Sequence, residues 1–161
     1  MASRVLPSLL VALGCCAGAA LARADTAGVT AALSPPLRAA LVAEMQHLDG
    51  GLQRAVSALA RADWPALERT AREIRGSFIL EQRLAPEQRA ELHRALPAPF
   101  LALDRRFHTQ AERLADAAAA GDPELAAFRV HQLVESCLGC HAQYAPTRFP
   151  GLAPAAGDHR H

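Results

Sequence analysis

The chain has 161 residues, enough for one domain with its own core. Apolar residues make up 51% of it, owing much to alanine, but aromatics only 4%, so few large side chains are available to fill an interior. Its 17 basic side chains, all arginine, nearly balance 16 acids, for a net charge of +1. That balance excludes the basic footprint of a nucleic-acid-binding protein.

Residues 1–24 read as a secretory signal peptide. Arg4 forms a short positive region, an apolar run follows from Val5 to Leu21, and Ala22-Arg23-Ala24 fits a small-x-small cleavage site. The mature chain is expected to begin at Asp25 and to be periplasmic. Losing Arg4 and Arg23 with no acid turns the net charge from +1 to −1. As a membrane span the run is weak, being rich in Ala and Gly and holding Pro7 and Ser8. Lipoprotein anchoring at Cys15 is the lesser alternative, because Leu13 lies one place off the usual pattern. Cys15 and Cys16 leave with the signal, and the mature chain keeps Cys137 and Cys140 alone.

The mature sequence reads as almost all helix, with no run of alternating β-branched residues. The first helix is expected to start at Ser34-Pro35-Pro36, a cap residue followed by prolines suited to a first turn. Leu37, Leu41, Met45, Leu48, Leu52, Val56 and Leu59 form its apolar stripe. Gly50-Gly51 predicts a bend or weak point within it. Asp63-Trp64-Pro65 opens the second helix, carrying Leu67, Ala71, Ile74, Phe78 and Leu84 as far as the break at Ala85-Pro86. A short helix is expected over Glu87 to Leu96, stopped by Pro97 and Pro99. The third long helix is expected from Pro99 to Ala120, with Phe100, Leu103, Phe107, Leu114 and Ala118 inward. Gly121-Asp122-Pro123 stops it and starts the next. The fourth long helix carries Leu125, Phe128, Leu133, Cys137, Cys140, His141 and Tyr144, and ends at Pro146 and Pro150. Residues 150–161 are expected to be a disordered tail. Four long amphipathic helices with short connections predict an all-α fold, an up-and-down antiparallel four-helix bundle with a short extra helix between the second and third long ones.

Cys137-Leu138-Gly139-Cys140-His141 carries the chemistry. C-x-x-C-H is the attachment pattern for a c-type haem. Two thiols add to the porphyrin vinyl groups, and the next residue supplies an imidazole to the iron. On a helix these residues stand at i, i+3 and i+4 and share one face. Two competing readings are weaker. A structural zinc site needs four ligands, and there is no second cysteine pair. A redox disulfide of the thioredoxin kind sits in a βαβ pattern, which the sequence lacks. One covalently attached haem c is therefore the expected cofactor, and it would supply apolar bulk that the aromatics do not.

A C-x-x-C-H motif on the last helix of a four-helix bundle resembles the cytochrome c′ family. The stretch Arg38-Ala39-Ala40-Leu41-Val42-Ala43-Glu44-Met45 is also similar to that family's first helix, and the resemblance covers roughly residues 30–149 of the haem domain expected over 25–149. It implies that Cys137 and Cys140 form thioethers, that His141 is the proximal iron ligand, and that the first helix faces the distal side. Arg38 matches the family arginine that contacts a haem propionate. Alignment on Arg38 sets Val42 over the iron and Met45 one turn further along. Met45 has two readings, a distal thioether ligand or an ordinary core methionine. The resemblance implies one-electron transfer between redox partner proteins; the alternative is a five-coordinate haem binding nitric oxide or carbon monoxide. It also implies a homodimer.

Further residues divide between site and scaffold. Arg148 lies seven residues past His141 and is a candidate for covering the haem edge. Tyr144, one turn beyond the motif, either packs on the haem or belongs to the helix core. His108 reads as an interhelical histidine, with iron ligation the lesser reading. His47, His93 and His131 are expected off the site, and His159 and His161 are tail residues. No Ser-His-Asp or paired-carboxylate constellation stands out, so no enzyme is expected.

Overall fold

The structure, a computed structural model, describes residues 28–77 and 84–152. The expected signal peptide with Cys15 and Cys16, the inward position of Phe78, and the tail with His159 and His161 lie outside the described residues. Among those described, the chain is all-helical and has no strand. Helices α1 (Pro35–Ala60), α2 (Trp64–Arg75), α3 (Pro86–Ala95), α4 (Ala98–Ala119) and α5 (Pro123–Tyr144) are flanked by 3-10 turns at Val29–Ala32 and Pro150–Leu152. The second of these turns lies inside the segment expected to be disordered. Helices α1 and α4 each pack against both α2 and α5, an arrangement compatible with a helical bundle. No described helix is long and apolar enough to cross a membrane.

Local signals account for most helix ends. The Asp63 carboxylate accepts a hydrogen bond from the Ala66 N–H at 3.1 Å, and that of Asp122 accepts from Leu125 N–H at 2.9 Å. Each satisfies one of the open donors of a first turn. Between α4 and α5, Gly121 takes φ +64°, the left-handed conformation that terminates helices most cheaply at glycine. Ser34 departs from expectation. It occupies the N-cap position of α1 without a capping side-chain bond, and its backbone N–H instead reaches Glu91 Oε1 at 3.1 Å, tying α1 to α3.

Three expectations need correction. Helix α2 ends at Arg75, capped by Gly76, so Leu84 lies outside any helix. Helical bonding in α1 continues through Gly50-Gly51. A Cβ on Gly51 would stand 2.8 Å from Ile74 Cγ1, so the missing side chain is what lets α1 approach α2 so closely. The buried line of α1 is also shifted: it runs through Leu37, Leu41, Glu44, Leu48, Gly51, Ala55 and Ala58. Met45 and Val56 sit one position round the helix and are exposed. Small residues at 51, 55 and 58 draw the neighbouring helix onto that line and leave the larger neighbours outside.

Buried apolar residues fall into two clusters. One joins Leu48 and Ala58 of α1, Leu67 and Ile74 of α2, Leu114 of α4 and Leu133 of α5. The other joins Leu37 and Leu41 of α1, Leu92 of α3, Phe100 of α4 and Tyr144 of α5. Each leucine buried in full contributes about 2 kcal/mol. Helix α2 thus closes one end and α3 the other. The gap between clusters falls at one level on every long helix: between 41 and 48 on α1, between 100 and 111 on α4, and between 133 and 144 on α5.

Candidate functional site

Cys137, Cys140 and His141 lie on the last two turns of α5, within that gap. All three are partly exposed, and both cysteines are free thiols. Burial raises the Cys137 pKa, helped by the negative charge of Asp49. Burial also pushes Cys140 up to about 11, with Asp104 and then Cys137 adding to it. Such thiols stay protonated at neutral pH, the reverse of a nucleophilic redox pair. His141 shifts the other way: desolvation and the nearby Arg148 charge lower its pKa and keep the imidazole neutral at pH 7. A neutral imidazole is the form that ligates iron.

The ring of Phe149 stacks on His141, 4.1 Å between centroids and 9° from parallel. Stacking covers a ring face, while the nitrogen lone pairs lie in the ring plane, so the contact orients the imidazole without competing for its ligating atom. Arg148 lies over the other aromatic partner, 5.9 Å from the Phe149 centroid. The side chain next to the motif is thus part of a small stack that ends α5.

Several large apolar side chains on α1 and α5 are exposed. Met45 is 37% exposed and Val42 38% on α1; Val134 is 36% and Leu138 47% on α5. Residues 42, 45 and 49 share one face of α1, and 134, 137, 138 and 141 share one face of α5. Helices α1 and α5 pack on each other, and the negative charge of Asp49 on α1 is felt at Cys137 on α5.

Other candidates are placed differently. The Arg38 guanidinium donates to the Thr30 carbonyl from Nε at 3.0 Å and to that of Leu33 from Nη2 at 3.2 Å, fastening the turn that precedes α1. Tyr144 is buried edge-to-face against Phe100, with centroids 5.2 Å apart, so its packing role is plain. His47, His93 and His131 are exposed. His108 is the interhelical histidine expected, buried and bonded through Nδ1 to the Ile74 carbonyl at 2.9 Å.

Sequence reading missed one feature. In the gap between the apolar clusters, Glu44, Asp104 and His108 converge, with their ligand atoms within 4.8 Å of one another. Glu44 is 1% exposed and His108 2%. The available signal was the Asp104–His108 spacing of four on one helix; Glu44 lies outside the apolar stripe read for α1.

Compared with known proteins, the chain matches no family model, no curated protein and no solved structure.

Proposed function

We propose that this chain is an exported, periplasmic monohaem c-type cytochrome of the cytochrome c′ type, an up-and-down four-helix bundle that carries single electrons between redox partner proteins. The observation that carries the reading is the motif on the closing helix, with its two protonated thiols and a neutral imidazole. Cys137 and Cys140 would hold the porphyrin through thioethers, and His141 would supply the axial nitrogen. The donor set fits the group: both cysteines are free thiols, and the His141 contact with Phe149 leaves its ring nitrogens uncovered. Bound there, haem supplies a one-electron couple whose potential is tuned by axial ligand and burial.

The chain's own residues do the rest. Val42, Met45, Val134 and Leu138 offer apolar surface on α1 and α5, surface that a soluble domain gains by covering. Phe149 sets the plane of the His141 ring. Arg148 would offer positive charge to an anionic haem propionate. Arg38, committed to two backbone carbonyls, serves the fold first. Met45 is the candidate distal ligand, being the one thioether of the expected mature chain.

Intact mass and absorption spectra of the protein, made where haem-maturation machinery operates, test the proposal together. One covalent haem and a low-spin spectrum with a sulfur-to-iron band are the expected result. A high-spin spectrum that carbon monoxide shifts transfers the function to binding of diatomic gases. A polypeptide without added porphyrin mass overturns the reading.

A further inference from the structure

The strongest feature outside the haem motif is the buried meeting point of Glu44, Asp104 and His108. Three helices build it. Asp104 and His108 stand at i and i+4 on α4, so they share a face. Glu44 arrives from α1, and α2 contributes the Ile74 carbonyl that fixes the imidazole. A carbonyl only accepts hydrogen bonds, so Nδ1 carries the proton. In the neutral ring the Nε2 lone pair then faces the two carboxylates. It lies 3.8 Å from Glu44 Oε1 and 3.7 Å from Asp104 Oδ1.

Those separations are too long for hydrogen bonds. They are close to what ligands around one ion require: bonds of about 2.1 Å to N and O donors put neighbouring ligand atoms about 3 to 3.5 Å apart, so a small closure of the three side chains completes the set. A backbone carbonyl on the remote nitrogen is the support that metal-bound histidines ordinarily have. Among divalent cations, ligand softness favours the transition series over calcium or magnesium, since one donor is imidazole.

We propose that Glu44, Asp104 and His108 form a second metal site, distinct from the C-x-x-C-H motif, which binds one divalent transition-metal ion in the gap between the two apolar clusters. With three protein ligands, the remaining coordination positions are open to water. The ion joins α1 to α4 at the level where apolar packing stops. The site does not depend on haem being attached.

Zinc(II) is the probe, because it is counted separately from haem iron. The full chain, with His159→Ala and His161→Ala to remove tail chelation, is dialysed against micromolar zinc(II), and bound zinc is counted beside protein, with the mass of the sample reporting haem separately. The expected result is one zinc per chain, at least tenfold weaker binding in Asp104→Asn and in His108→Ala, and no change in His93→Ala. Circular dichroism checks that each variant is helical. Asp104→Asn keeps the side-chain shape and serves where His108→Ala does not fold. A chain that binds no zinc, or that binds it equally after Asp104→Asn or His108→Ala, overturns the site, whatever its haem content. A chain that carries zinc but no porphyrin keeps this inference and sinks the cytochrome reading.

Discussion

Phe149 lies face to face with His141, their centroids 4.1 Å apart, just past the end of α5. An aromatic pair of this kind is worth about 0.5–1.5 kcal/mol beyond the area it buries. Phe149→Ala is therefore expected to cost about 1–2 kcal/mol in urea unfolding, while Phe149→Leu keeps much of the area and costs less. In the haem-loaded protein the same change frees the orientation of the imidazole and shifts the midpoint potential. Equal stability and an unchanged potential in Phe149→Ala would remove this residue from both roles.

Met45 is the test of the sixth ligand. Exposed as it is, its replacement by leucine leaves the core intact, so Met45→Leu is expected to melt within a degree or two of the parent. If its sulfur ligates iron, the spectrum turns from low-spin to high-spin and the potential falls. An unchanged spectrum excludes Met45 from coordination.

Gly50 and Gly51 are neighbours with opposite predictions. A Cβ at Gly50 meets only Arg54 Nη1 at 3.4 Å, whereas one at Gly51 runs into Ile74 at 2.8 Å. Gly50→Ala should stabilise by up to about 1 kcal/mol through helix propensity. Gly51→Ala should destabilise by about 1–3 kcal/mol as α1 is forced from α2. Denaturant midpoints measured on the pair decide it, and a stabilised Gly51→Ala would contradict the close helix contact.

The Cys140 thiol predicts a pH dependence for protein produced without haem. Its pKa, raised from 9.0 to about 11 in the folded chain, means the unfolded chain releases this proton first. Between those values the unfolded state binds fewer protons, so stability falls as pH rises through the window and is unaffected by this group below it. Alkylation by iodoacetamide at pH 8 should be slow in the folded chain and fast in urea. Rapid alkylation of the folded protein would place Cys140 in a more polar setting.

The helix order was legible because its punctuation is local. Asp63 and Gly121-Asp122-Pro123 act through hydrogen bonds and dihedral angles within a few residues. The end of α2 was misread because Ile74, Phe78 and Leu84 mimic a continuing stripe across Gly76. The facing of α1 was only partly legible. Met45 and Val56 look like core in a list of apolar residues, yet Glu44, Gly51, Ala55 and Ala58 form the buried line, since what decides is how closely α2 can approach. The C-x-x-C-H spacing was plain. The convergence of Glu44 with Asp104 and His108 was not, because it joins residues some sixty positions apart and depends on tertiary packing.

The polar interruption at Glu44 and His108 also bears on how the molecule comes apart. With two separate oily compartments, neither end relies on the other for its dehydration. Amide exchange is then expected to report two cooperative units, the α2 end outlasting the α3 end, with the seam between them acting as the fold's natural line of cleavage.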